Sequence, residues 1–179
     1  MKIRNGFVSN SSSSSFIVAI PEDVMTQDQL QKCLMGTASE YPNPYPFDRE
    51  PDTWPAELVT SIVFQDMFAA GLASRDSMIR EYGNGWTDAH MKGEQEARAE
   101  FNLGEWDIPD NDDVRRKYYD RYQELVDKHS AKAIDEFVAQ NPDCSFFIVE
   151  YSDNDGQLSC AMEHGSLFDR VPHLRVSKH

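Results

Sequence analysis

Two clusters of side chains, near opposite ends of the sequence, carry the groups best suited to chemistry. The first cluster places six hydroxyls and one amide within seven consecutive residues. These residues are Ser9, Asn10, Ser11, Ser12, Ser13, Ser14 and Ser15. Hydroxyl and amide groups at this density can hydrogen-bond a ligand or an anion, so the segment is a candidate ligand-binding site. Because it leads directly into an apolar run, an ordered strand edge is one alternative, and modification or recognition by a partner is another.

The second cluster combines carboxylates with imidazoles: Glu163, His164, Asp169 and His173. An imidazole oriented by a carboxylate can act as a general base, so these four are the candidate catalytic residues. The same groups can bind a transition metal, which is an alternative role for His164 and His173. HExxH and HxH are both absent and the spacing matches no strong template, so no metal ligand is assigned and the cofactor is unknown. The GxSxG motif of serine hydrolases and the glycine-rich phosphate loops are also absent.

Neighbouring strands decide whether the two clusters meet. Residues 16–20 form a short apolar, β-branched run that predicts a buried strand. Residues 144–151 predict a second strand, a turn follows at 153–156, and residues 157–162 are expected to return as the second arm of a hairpin. A last short strand is predicted at 173–177. If the first strand pairs with the hairpin, the serine segment and the Glu/His cluster are expected to converge on one pocket.

Helices are predicted between these strands because several side chains that cap helix N-termini precede suitable runs. The predicted caps are Thr26, Ser74, Thr87 and Asn111. A further helix begins near Pro55, and its predicted buried stripe is Leu58, Ile62, Phe64, Phe68 and Leu72. The helix after Thr87 has a thin apolar face and contains Gly93, so it is expected to be weak and exposed.

The order of these elements predicts an α+β fold. We expect residues 1–179 to form a single domain with a small, mostly antiparallel sheet, made from the N-terminal strand and the C-terminal hairpin. About four to five helices, inserted over residues 22–141, are expected to cover that sheet.

The segment between residues 37 and 54 is rich in proline and aromatic residues. Its prolines exclude a helix, and a connection of this length is often functional. The aromatic side chains are therefore candidates for binding a partner, and packing onto the rest of the protein is the alternative. The candidate partner-binding residues are Tyr41, Tyr45, Phe47 and Trp54.

Charge restricts the classes of partner. The sequence has 31 acidic and 17 basic residues, a formal net charge of −14. Such a charge repels phosphate backbones and disfavours direct binding of nucleic acid. Tyr118, Tyr119 and Tyr122 have arginine neighbours that suggest base stacking, but their helical spacing is more typical of a core. Acidic proteins can also mimic DNA, which is a further alternative.

The number of cysteines and the length of the apolar runs predict the cellular compartment of the protein. Cys33, Cys144 and Cys160 form no CxxC pair, and an odd number of cysteines is typical of a reducing cytoplasm. No signal-peptide core and no run of about 20 apolar residues is present, so a cytoplasmic protein away from the membrane is expected.

Both ends of the sequence resemble those of a loose group of bacterial and tailed-phage proteins. The opening residues Lys2, Arg4 and Gly6 to Asn10 lead into the serine run and Phe16, while residues 162–165 and 172–177 close the chain. The resemblance covers about forty residues and implies a bacterial or phage cytoplasmic protein whose two ends form one unit. The group has no assigned activity, so the resemblance implies no catalytic residue.

The function expected from these observations is that of a soluble acidic accessory protein that acts by binding another protein. One alternative is a small hydrolase or transferase with a site formed by the serine segment and the Glu/His cluster. A DNA mimic is the second alternative. The motifs do not decide whether the protein is an enzyme, and nothing indicates its oligomeric state.

Overall fold

A three-stranded antiparallel sheet lies at the centre of the fold. The computed structural model describes residues 13–44, 51–104, 107–109 and 111–178. The central strand β1 (Ser13–Pro21) has β4 (Cys144–Ser152) on one side and β5 (His173–Lys178) on the other. The predicted α+β fold is confirmed, as are the pairing of the first strand with residues 144–151 and the last short strand.

Helices cover both faces of β1, which explains why its apolar run is continuous rather than alternating. Successive side chains point to opposite faces, so Phe16, Val18 and Ile20 join one core cluster. Ile17 and Ala19 join the other. The central strand is therefore buried almost throughout its length.

Within the described residues, six α-helices pack around the sheet. Their bounds are α1 (Gln27–Met35), α2 (Ala56–Ala70), α3 (Arg75–Gly83), α4 (Asp88–Glu100), α5 (Asp112–Gln140) and α6 (Gln157–His164). The first five form the insert between β1 and β4. Helices α1, α2 and α6 contribute to the Phe16 face, and α3, α4 and α5 to the Ile17 face. All four predicted caps accept a hydrogen bond from the first turn of their helix.

The predicted return strand at residues 157–162 is wrong, because this segment is helix α6. A single turn of 3-10 helix, Asp153–Asp155, replaces the expected hairpin turn, and Gly156 then adopts a φ of 102°. Leu158, Ala161 and Met162 have helical spacing and pack onto the Phe16 face. The place beside β1 that the hairpin arm was expected to fill is taken by β5.

Helix α2 buries a different stripe from the one predicted. Val59, Val63 and Met67 lie in the core, whereas Leu58, Phe68 and Leu72 are exposed. Ile62 and Phe64, also in the predicted stripe, are only partly buried. Since the helix carries two apolar stripes, spacing alone did not decide which one faces the sheet.

Helix α4 is not the weak, exposed element that its composition predicts. Ala89, Gly93 and Ala97 are buried at intervals of four residues. A Cβ atom on Gly93 would lie 3.0 Å from the backbone nitrogen of Val126 in α5. The glycine therefore allows the two helices to approach closely, and the small residues form their contact.

The proline-rich segment contains two short strands, β2 (Glu40–Pro42) and β3 (Thr53–Pro55). In the described parts of the chain, no single helix has the length and apolar character needed to cross a membrane. The helices α2 and α3 meet that test only as a pair, across a bend of 112°.

Candidate functional site

The serine segment and the Glu/His cluster meet through Ser14. The Ser14 hydroxyl donates to Glu163 Oε1 over 3.3 Å and accepts from Arg175 Nε and Nη2 at 3.3 and 3.2 Å. Glu163 Oε2 faces His164 Nε2 at 3.6 Å. Strand alternation places Ser14 on the Phe16 face of β1, where α6 supplies Glu163 and β5 supplies Arg175.

Burial limits what this network can do. Ser14 and Glu163 are both fully buried, so a substrate cannot reach the hydroxyl without opening the core. A carboxylate oxygen of Glu163, rather than an imidazole nitrogen, accepts the hydrogen bond from the Ser14 hydroxyl. His164 lies near the other carboxylate oxygen. In a serine hydrolase of the Ser-His-Asp type, the imidazole instead accepts from the serine hydroxyl and the carboxylate orients the imidazole. The arrangement is a buried polar network that links β1, α6 and β5, in which Glu163 Oε2 has no hydrogen-bond partner among the described residues.

The remaining candidate catalytic residues lie outside this network. His173 shares the Phe16 face, where its ring centroid is 6.2 Å from that of Phe16, and its Nδ1 is 3.1 Å from the carbonyl oxygen of Val171. Asp169 is exposed and lies near Tyr41, whose pKa it helps to raise together with burial, the larger cause. Among the described residues, no group of three His, Cys, Asp or Glu side chains converges as a metal site would require.

The other described serines lie on β1 as well. Ser15 points to the opposite face from Ser14 and donates to Glu150 Oε2 over 3.5 Å. The same carboxylate accepts from Lys178 Nζ at 2.8 Å, and that ammonium holds the pKa of Glu150 below its usual range. Ser13 begins the strand. Four candidate ligand-binding residues, Ser9, Asn10, Ser11 and Ser12, lie outside the described residues.

The described aromatic residues of the proline-rich segment pack onto the domain. Tyr41 is buried, and its hydroxyl donates to the Ala161 carbonyl at the end of α6 over 3.0 Å. Trp54 is partly buried against the Phe16 face, and its Nε1 has no hydrogen-bond acceptor among the described residues. Tyr41 therefore offers little surface to a partner. Tyr45 and Phe47 lie outside the described residues.

An apolar groove lies between α1, α2 and the end of β1. It encloses about 430 Å³, and its floor includes Leu30, Phe64 and Phe147. Its rim carries Met25, Phe68 and Leu72, which are 74%, 84% and 72% exposed. Of the described residues that line it, Glu22 alone is charged. Hereafter this feature, defined by these seven residues, is called the apolar groove.

No family model, curated protein or solved structure matches the chain. Its chemistry is therefore argued from the described residues alone.

The sequence contains one signal for the apolar groove: α2 carries apolar side chains on more than one side, and most of the stripe predicted to be buried is exposed. Val59, Val63 and Met67 form one stripe of α2, whereas the exposed Phe68 lies on another side of the helix and the exposed Leu72 follows just after its end. A helix that is apolar on two sides must bury both or offer one to something else. Since only one side of α2 faces the sheet, apolar side chains on its other side remain exposed.

The tyrosines of α5 divide between core and surface. Tyr118 is buried, whereas Tyr119 is exposed. The neighbouring arginines are engaged by acids: Arg115 pairs with Asp112, Arg116 with Asp113, and Arg121 with Glu100 and Glu124. This pairing leaves little positive charge for a phosphate backbone beside the tyrosines.

Proposed function

We propose that this protein is an accessory protein that acts by binding another protein through the apolar groove. The observation that supports the proposal is the exposed rim of Met25, Phe68 and Leu72 around an apolar floor. Large apolar side chains exposed together are costly in water and typically mark an interaction site. Aromatic side chains in such a patch are frequent anchors of binding energy.

The negative charge at the apolar groove predicts which residues its partner presents. Glu22 lines the groove, Asp23 follows it in an exposed turn, and the Asp143 carbonyl accepts from the Glu22 amide. No lysine or arginine occurs in the lining as far as the structure describes the chain, and the whole chain carries a net charge of −14. The occupant is therefore a segment of another protein that presents a large apolar side chain between basic residues. A second copy of this acidic chain would add repulsion.

A library of random peptides displayed on phage tests this proposal with the intact protein as bait. Enriched peptides are expected to share an apolar or aromatic residue flanked by lysine or arginine. Phe68→Ser and Leu72→Ser are expected to weaken binding of such a peptide by about tenfold or more, since anchor residues contribute roughly 1–2 kcal/mol or more. Both residues are exposed, so these changes leave the core intact.

Met91→Ser is the matched control, because Met91 is an exposed methionine on α4, outside the groove. It is expected to bind the peptides like the wild type. Enrichment of acidic or wholly polar peptides would contradict the proposal, as would binding that is indifferent to Phe68→Ser. A concentration-dependent dimer that Phe68→Ser abolishes would instead identify a second copy as the occupant.

A further inference from the structure

A second pocket lies between α4, α5 and the segment that precedes α5. It encloses about 230 Å³ and is lined largely by aromatic rings. We call this feature the aromatic pocket. Six of its lining residues matter most for what it can bind: Trp86, His90, Glu94, Tyr118, Tyr119 and Tyr122. Pockets for drug-sized ligands usually enclose roughly 300–1,000 Å³, so this volume suits a small head group or a single side chain. It shares no residue with the apolar groove.

The backbone fixes Trp86 at the mouth of this pocket. The Trp86 amide donates to the Ser177 carbonyl on β5 over 2.9 Å. A Cβ atom on Gly85 would lie 2.8 Å from the same carbonyl oxygen, so only glycine allows the approach. Thr87 then caps α4. Trp86 is thus 58% exposed on an anchored backbone rather than on a free loop.

The rings form a continuous wall. The centroids of Trp86 and His90 are 4.6 Å apart, and those of His90 and Tyr122 are 5.5 Å apart in an edge-on arrangement. The Tyr122 hydroxyl lies 2.8 Å from His90 Nδ1, which holds both rings in place. Tyr118 is nearly parallel to Tyr122, with their centroids 6.4 Å apart. Several π faces and edges therefore surround one small volume.

Acidic groups dominate the polar part of the aromatic pocket. Glu94 and Asp107 face a single arginine, Arg98, which also lines it. Arg98 is committed to its neighbours, since it binds Glu94 through Nε and Nη2 and donates through Nη1 to the carbonyl oxygens of Gly104 and Asp107. Burial and, secondly, the charge of Glu94 raise the pKa of Tyr122 to about 12. The field inside the pocket is therefore negative.

We propose that the aromatic pocket binds an alkylated ammonium group. A cation gains from the negative faces of aromatic rings, and a methylated ammonium gains most because it sheds water easily while its methyl groups fill the apolar space. The two carboxylates of Glu94 and Asp107 outnumber the one guanidinium of Arg98 in the described lining, and together with the net charge of the protein this excess adds attraction. A phosphate or a nucleotide is disfavoured, because Arg98, the one arginine among the described lining residues, has its donors occupied. The group can belong to a free small molecule or to a methylated lysine side chain, which share this chemistry.

Titration with choline, followed by calorimetry, tests the proposal. Saturable binding is expected, and the tert-butyl analogue of choline, in which carbon replaces the charged nitrogen, is expected to bind about fivefold or more weakly, because cation–π attraction contributes roughly 1 kcal/mol or more. Trp86→Ala is expected to lower choline affinity by a similar factor. A peptide containing trimethyllysine, compared with its unmethylated form, serves as the second arm. Tighter binding of the methylated peptide than of choline identifies a side chain as the source, and the reverse identifies a free head group.

Phe68→Ser is the matched control, since it alters the apolar groove and leaves the aromatic pocket unchanged. It is expected to bind choline as the wild type does, so this test is separate from that of the proposed function. Equal binding of choline and its neutral analogue would overturn the proposal, as would a failure to saturate with either probe. Unchanged affinity in Trp86→Ala, with a native thermal unfolding profile, would also overturn it.

Discussion

At the scale of single residues, the Ser14 and Ser15 hydroxyls look equivalent in sequence and differ in their surroundings. Ser14 donates to Glu163, a carboxylate with no exposed surface. Ser15 donates to Glu150, which is exposed and also accepts from Lys178. A buried charge depends far more on each of its hydrogen bonds than an exposed charge does, because water cannot replace a lost partner.

Ser14→Ala is therefore expected to lower the free energy of unfolding by about 2–3 kcal/mol, because it removes a donor from a buried carboxylate. Ser15→Ala, the matched control on the same strand, is expected to cost less than about 1 kcal/mol, because Glu150 keeps Lys178 and solvent. Urea denaturation of the three proteins measures the difference. Equal losses for the two variants would show that the Ser14 network contributes no more than an exposed pair.

At the scale of elements, contact between α4 and α5 depends on the absence of a side chain at Gly93. A Cβ atom there would lie 2.7 Å from Val126 Cγ2 and 3.0 Å from the Val126 nitrogen. Alanine would gain about 1 kcal/mol in helix propensity. Overpacking against a backbone typically costs about 1–3 kcal/mol and requires the helices to separate. The steric effect is expected to be the larger of the two.

Gly93→Ala is accordingly expected to destabilise the protein by about 1–2 kcal/mol overall. Thermal or urea unfolding checks the loss. Lys92→Ala, on the exposed side of the same helix, is the control for propensity alone and is expected to change stability by less than about 0.5 kcal/mol. A Gly93→Ala variant more stable than the wild type would mean that the two helices move apart at little cost.

Sequence predicted the elements whose causes are local. The helix caps at Thr26, Ser74, Thr87 and Asn111 depend on hydrogen bonds within four residues, and β1 depends on a run of apolar side chains in one segment. Helix α6 was mistaken for a strand because short apolar runs fit both periods, and packing against the sheet decides between them.

The candidate sites depend on contacts that sequence does not specify. Ser14 and Glu163 are 149 residues apart in sequence. The sequence predicts the pairing of β1 with β4 but not that β5, rather than a hairpin arm, lies on the other side of β1. The aromatic pocket depends on the close approach of Gly85 to β5, about ninety residues further along the chain. The apolar groove depends on which of two stripes of α2 faces the sheet. Each is a choice made by tertiary packing.

At the scale of the whole molecule, buried tyrosines tie stability to alkaline pH. Burial is the largest cause of the raised pKa of Tyr41, Tyr82, Tyr118, Tyr122 and Tyr151. These hydroxyls keep their protons in the folded state above pH 10, where the unfolded chain begins to release them. The unfolded state is then favoured increasingly as pH rises, so the stability present below about pH 10 is progressively lost above it.

We therefore expect cooperative unfolding above about pH 10, coincident with the appearance of tyrosinate absorbance. Since the pKa of Tyr122 is raised to about 12, Tyr122→Phe is expected to make the loss of stability between about pH 10 and 12 less steep. Tyrosinate that appears gradually before the fold is lost would contradict this account.

Net charge also acts on the molecule as a whole, and it sets the response to salt. With 31 acidic and 17 basic residues, repulsion between acids opposes the compact state, and the described ion pairs are mostly exposed and individually weak. Sodium chloride screens both the repulsion between acids and the attraction within ion pairs. Because the repulsion acts among many groups whereas each ion pair involves only two, screening removes more repulsion than attraction. Screening is therefore expected to stabilise the protein.

The midpoint of thermal unfolding is expected to rise by about 2–4 °C between roughly 0.01 and 0.15 M sodium chloride, which corresponds to about 1 kcal/mol in a chain of this size. Asp120→Asn removes one exposed charge that forms none of the described ion pairs, so it should raise the midpoint at low salt and have a smaller effect at high salt. Sucrose in place of salt is the control, because it stabilises by exclusion without screening and should not reduce the effect of Asp120→Asn. A midpoint that falls with salt would mean that the ion pairs, such as Arg75–Asp135 at 2.6 Å and Arg121–Glu100 at 2.8 Å, outweigh the repulsion.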